Sequence, residues 1–187
     1  SGALLVTEST LNMTGVVSNV KCAGQTNGSI NTTVVGGKSP YNFTWEGPQP
    51  IGNIADPVNL KAGTYTATVT DLFGCTNVKT FNVIEPNALL PTVANVVGPN
   101  CTAPSGGSID LEVNGGTPLY TYKWNNGSTL QDPINLAQGS YTVTVTDQSG
   151  CTKSTSATVT GNFMPPTATA VPNGTITCIV TAITLDG

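Results

Sequence analysis

The chain has 187 residues, of which only 9% are charged, and a formal charge of −4. Its six cations are all lysine and none cluster, so it lacks the electrostatic footprint that phosphate backbones require, and nucleic acid is excluded as a partner. The absence of histidine removes the commonest general base and zinc ligand, and no apolar run reaches the roughly 18 residues a membrane-spanning helix needs.

Thr, Ser, Asn and Gly carry the solubility that charge does not. Thr is the commonest residue and Val is abundant; both are β-branched and favour strands over helices. The length suits one or two domains. No signal peptide opens the chain at Ser1, so the sequence reads as an internal or processed segment.

Sliding the chain along itself by 76–79 residues matches Cys22 to Cys101, Trp45 to Trp124, Tyr65 to Tyr141 and Cys75 to Cys151. This is an internal repeat. In chain order, the first copy opens on a strand in which Ile30, Thr32 and Val34 share a face. After Gly-Gly comes a second strand, with Tyr41, Phe43 and Trp45 on the face opposite Asn42 and Thr44. That aromatic face is the expected core. The loop after Trp45 is longer than the one after Trp124, and because neither flank is disturbed it should lie on the surface. Next, Tyr65, Ala67 and Val69 alternate with Thr64, Thr66, Thr68 and Thr70, and the Thr side should meet solvent. The segment TVTDLFGC then suits a tight hairpin, with Asp71 capping the turn and Gly74 at positive φ. A Pro-bearing connector, residues 85–91, marks a joint.

The second copy follows the same scheme through Ile109, Leu111 and Val113, then Tyr120, Tyr122 and Trp124, then Tyr141, Val143 and Val145, and closes on TVTDQSGC. Residues 162–167 form another Pro-bearing joint. Short strands, turn signals and no helices predict an all-β chain of tandem immunoglobulin-like antiparallel β-sandwich modules. Their bounds are 1–86, whose first residues would be linker from a preceding domain, 87–164, and 165–187 as the truncated start of a different immunoglobulin-like module. Trp45, Trp124, Tyr65 and Tyr141 are the expected core aromatics.

Five cysteines without a Cys-x-x-Cys pair indicate an oxidising compartment rather than metal. The economical pairing joins Cys22 to Cys75 and Cys101 to Cys151, one disulfide inside each module. Closing loops of about 50 residues would contribute roughly 4 kcal/mol apiece by the chain-entropy relation. Cys178 is left over, either with a partner downstream or as a free buried thiol.

The combination of C…GSI, GG…P…Y…W and L…G…Y…VTD…GC, present twice between about residues 16 and 161, resembles the SprB repeat. That resemblance implies a giant adhesin of gliding bacteria: a surface-exposed filament exported by type IX secretion, with the gliding or secretion machinery of the outer membrane as a partner. The segment around Cys178 departs from the repeat and looks like the opening of another immunoglobulin-like module.

Three functions compete on this sequence. A mechanical or adhesive arm needs only stable spacers, whose partners are other modules of the same long chain and an external surface or glycan of unknown identity. A carbohydrate-binding or accessory module of a secreted enzyme would use Tyr41, Trp45, Tyr120, Tyr122 and Trp124 as stacking rings, although strict alternation puts these rings in the core. An enzyme is poorly supported, since there is no nucleophile elbow and no phosphate loop. No catalytic residue, cofactor or metal site is expected. Asp71, Asp147, Asp56 and Asp132 are too dispersed for calcium and serve as turn formers.

Overall fold

The computed structural model describes residues 10–100 and 103–161. Cys101, Cys178 and the third segment, 165–187, lie outside the described residues. The chain divides into two compact units, Ser1–Ala88 and Leu89–Gly187.

Among the described residues the first unit has six strands: β1 (Asn12–Ser18), β2 (Gly28–Val35), β3 (Asn42–Glu46), β4 (Val58–Leu60), β5 (Gly63–Thr70) and β6 (Thr76–Val83). They form two antiparallel sheets, ordered β1-β2-β4 and β3-β5-β6. Period-two alternation sends Met13, Ile30, Phe43, Leu60, Tyr65, Ala67, Val69, Phe81 and Val83 inward to a shared core. Along one edge the two sheets are stitched by asparagine side chains: Met13 N donates to Asn77 Oδ1 at 3.2 Å and Ile84 N to Asn19 Oδ1 at 3.1 Å. The ring of Phe81 lies against β1 at Gly15, where a Cβ would come within 2.8 Å of it.

The second unit repeats the plan with β7 (Leu90–Val97), β8 (Gly107–Asn114), β9 (Thr121–Trp124), β10 (Ile134–Leu136), β11 (Gly139–Thr146) and β12 (Thr152–Val159). Its sheets run β10-β8-β7 and β12-β11-β9, around Ile109, Leu111, Trp124, Leu136, Val143, Val145 and Val159. Two differences redistribute volume. Ala157 pairs with Tyr141 where Phe81 pairs with Tyr65, and β7 carries a register shift between Val93 and Asn95 where β1 is regular. With less aromatic bulk beside it, Trp124 sinks to 2% exposure, whereas Trp45 stays half-buried with its ring centroid 6.0 Å from that of Phe81.

The predicted all-β sandwich architecture is therefore observed, built twice. The disulfide expected inside the first module is not, and the one expected between Cys101 and Cys151 falls on a residue outside those described. Cys75 is an exposed free thiol, while Cys22 is disulfide-bonded, so the expected Cys22–Cys75 bond is absent. Strand direction explains why. Gly24 N donates to Glu85 Oε2 at 2.6 Å and Val20 N to Ile84 O at 3.0 Å, which seats the Cys22 loop beyond the end of β6. Cys75 stands just before the start of β6, where Thr76 pairs with Thr70. Eight residues of extended chain separate the two ends by about 25 Å, and a disulfide tolerates no more than about 7 Å between Cα atoms.

Candidate functional site

The most structured polar site in each unit lies at the hairpin that carries the cysteine. In the first, Asp71 is buried at 7% exposure in a chain that buries few charges. Its Oδ1 accepts from Phe73 N at 3.0 Å and Cys75 N at 2.8 Å, and its Oδ2 from Lys38 N at 3.0 Å. Burial pushes its carboxyl up, but the amides of Cys75, Lys38 and Phe73 and a bond with the Cys75 side chain outweigh that and hold it below the ordinary value of 3.8. Asp147 repeats the arrangement, accepting from Cys151 N and Thr117 N at 2.8 Å each.

The Gly-Gly pair ahead of the aromatic strand belongs to the same node. Gly36, Gly37, Gly115 and Gly116 all have positive φ, and a Cβ on Gly37 or Gly116 would strike the Asp71 or Asp147 carboxylate at 3.0 or 2.7 Å. Tyr41 and Tyr120 hydroxyls donate back to Gly36 O and Gly115 O, each at 2.7 Å. The node thus joins a glycine turn, a tyrosine, a buried aspartate and the cysteine amide, identically in both units. The turn after it is solved in two ways: Ser39–Pro40 is cis in the first unit, and Leu119 takes φ 82 in the second.

The residues expected as turn formers have a sharper task. Asp56 Oδ1 accepts from Thr32 N at 2.7 Å and Asp132 Oδ1 from Leu111 N at 2.9 Å, so each pins the loop after the tryptophan to the neighbouring sheet. The Asn of each Asp-Pro-x-Asn-Leu run is left-handed, at φ 57 for Asn59 and 58 for Asn135, and the pairing with β2 or β8 shifts register there. Asparagine is one of the few non-glycine residues that adopts this conformation readily, and that was the available sequence signal. Among the described residues no three Asp, Glu, His or Cys side chains gather in a way that could hold a metal ion.

Of the core aromatics, Trp124 and Tyr65 are buried, while Trp45 and Tyr141 are half-buried. The longer first loop accounts for the tyrosines: Gly47 backs directly onto the Tyr65 ring, and no equivalent loop covers Tyr141. Burial raises the Tyr65 hydroxyl pKa despite its 2.9 Å bond to Lys61 O. The hydrogen-bonding ends of the other rings are also occupied: Trp45 Nε1 donates to Ile54 O, Trp124 Nε1 to Leu130 O and the Tyr122 hydroxyl to Gln131 Oε1. These rings pack as core and do not form a flat stacking platform.

What the sheets do present outward is hydroxyl. Thr64, Thr66, Thr68 and Thr70 line β5, and on the second unit Thr142 and Thr144 bond Ser156 and Ser154 across strands at 2.8 and 3.0 Å. Apolar side chains are exposed elsewhere, notably Phe73 at 77% and Leu72 at 56% on the first hairpin, where the second has Ser149 and Gln148.

Two sandwiches with identical nodes define the class: tandem immunoglobulin-like β-sandwich modules. Within that class the repeat is the SprB repeat, whose family model matches residues 14–50 and 93–129, once in each unit. The chain accordingly carries two SprB repeats. Among solved structures, the three N-terminal domains of the highly immunogenic outer capsid protein (Hoc) of bacteriophage RB49 align over 82% of this chain and 59% of their own length, at 19% identity and TM-score 0.50. The N-terminal eight Ig domains of Down syndrome cell adhesion molecule align over 82% of this chain and 25% of theirs, at 15% identity and TM-score 0.43. Drosophila OTK extracellular domains 3–5 align over 81% and 61%, at 14% identity and TM-score 0.35. The chain thus spans less than two thirds of each of these proteins. No curated protein matches it in sequence.

Proposed function

We propose that this chain is a structural and adhesive segment of a long secreted filament, exported by type IX secretion and serving gliding motility and surface attachment. The observation that carries the reading is duplication, with no singular site among the described residues. Both units hold an SprB repeat, the same glycine–tyrosine–aspartate node and the same Asp-Pro pin, and the polar side chains of those features are engaged inside the module. A catalytic site is a single convergent constellation, whereas copied and internally satisfied nodes serve length and stability. Modules 1–86 and 87–164 are then spacers, and residues 165–187 begin a third module of different kind.

Antibodies raised against residues 10–161 should label intact cells without permeabilisation, and deletion of this segment in its parent protein should reduce attachment and spreading on a surface. Labelling only after permeabilisation, or unchanged attachment and motility, would overturn the proposal.

A further inference from the structure

Each unit carries a cysteine in the Asp-x-x-Gly-Cys hairpin, in the same backbone cradle. Cys75 N and Cys151 N both donate to the aspartate Oδ1 at 2.8 Å, Asp71 N and Asp147 N donate back to the cysteine carbonyls at 2.9 and 3.0 Å, and Gly74 and Gly150 share φ 83. Yet Cys151 is disulfide-bonded and Cys75 is an exposed free thiol. The bonded state of its twin shows that this cradle can present sulfur for a disulfide. The first unit's other cysteine, Cys22, is bonded too, but sits at the opposite end of the strands, out of reach of Cys75. An exposed apolar pair, Leu72 and Phe73, flanks the free thiol, while the same turn beside the bonded Cys151 carries Gln148 and Ser149.

We propose that Cys75 is one half of an inter-module disulfide, closed by a cysteine in the Cys22 position of another SprB module. Its docking surface is the hairpin end carrying Leu72 and Phe73. The second module is favoured over a small thiol because the repeat supplies the complementary group itself: a bonded cysteine at the opposite end of the same fold. On closure the two thiols lose two protons and two electrons, which pass to a low-molecular-weight disulfide such as oxidised glutathione and release two thiols from it.

The native spacing can be copied to test this. Leu11 and Leu89 occupy equivalent places, since a Cβ on Gly37 would come within 2.9 Å of the first and one on Gly116 within 3.1 Å of the second. A second copy of residues 11–88, carrying Cys75→Ser, is therefore inserted ahead of Leu11, so that its Ala88 leads into Leu11 as Ala88 natively leads into Leu89. Both chains are equilibrated in a glutathione redox buffer, labelled with maleimide under native conditions and mapped by mass spectrometry without reduction. Cys75 should label fully in the native chain. In the extended chain its labelling should fall at least tenfold, with a peptide joining Cys75 to the added copy's Cys22, and Cys22→Ser in the added copy alone should restore it. Full labelling of Cys75 in the extended chain would overturn the proposal. So would a Cys22–Cys75 peptide from the native chain, or failure of that serine substitution to restore labelling.

Discussion

The two tryptophans occupy matching positions in unequal surroundings, and truncating each should expose the difference. Trp124 is 2% exposed and donates from Nε1 to Leu130 O at 2.8 Å. Deleting a ring so enclosed costs about 3–5 kcal/mol, the transfer of its surface plus the cavity left behind. Trp45 is half-buried, rests on Phe81 at 6.0 Å, and donates to Ile54 O at 2.9 Å. More of its surface is already hydrated than that of Trp124, so Trp45→Ala should cost less, about 2 kcal/mol on the same scale. For modules of this size about 1 kcal/mol moves Tm by 4–8 °C, so Trp124→Ala should lower one transition by about 15–30 °C and Trp45→Ala the other by about 10 °C. Scanning calorimetry resolves the transitions, and assignment is internal: in each variant the remaining tryptophan's fluorescence reports the untouched module, whose midpoint should hold. If Trp45→Ala proves as damaging as Trp124→Ala, the inference that Ala157 in place of Phe81 lets Trp124 sink deeper is wrong.

Three further perturbations probe the node and its turns. The Asp71 carboxyl is held below its ordinary value, so its contribution to stability is complete above the unfolded pKa and drains away as pH falls through the folded one. Asp71→Asn should therefore weaken the first module at neutral pH and flatten its loss of urea resistance between about pH 5 and pH 2; an unchanged acid limb would count against the node. Gly37→Ala and Gly74→Ala both force alanine to positive φ, but only at Gly37 does the new Cβ meet atoms, Leu11 at 2.9 Å and Asp71 at 3.0 Å. Urea titration should give about 1 kcal/mol for Gly74→Ala and at least twice that for Gly37→Ala. Leu119 sits at φ 82 with 73% of its surface exposed, so Leu119→Gly should remove strain at little loss of packing and raise the unfolding free energy of the second module, read by urea titration, by about 0.5–1 kcal/mol.

Strand faces were legible in the sequence because they are local. Alternation at Phe43 and Trp45, at Tyr65, Ala67 and Val69, and at Val143 and Val145 marks the inward side whatever the topology, and the core followed from it. Quantities that depend on which end of a strand a residue occupies were not local, and the cysteines fall there. Pairing Cys22 with Cys75 took the economical partner within each repeat while ignoring direction: β2 begins at the end of the module where β6 finishes, so residues just before β2 and just before β6 lie at opposite ends. The unequal burial of Tyr65 and Tyr141 was hidden for a related reason, since it is set by a loop folding back from Gly47 and not by the strand that carries the ring. Counting strand reversals between two cysteines is enough to expose the first error. An odd number of reversals between residues at corresponding strand positions reverses their ends, so in a repeat of short antiparallel strands the recurrence of two cysteines per copy is evidence about ends before it is evidence about a bond. For this module it leaves one sulfur at each end.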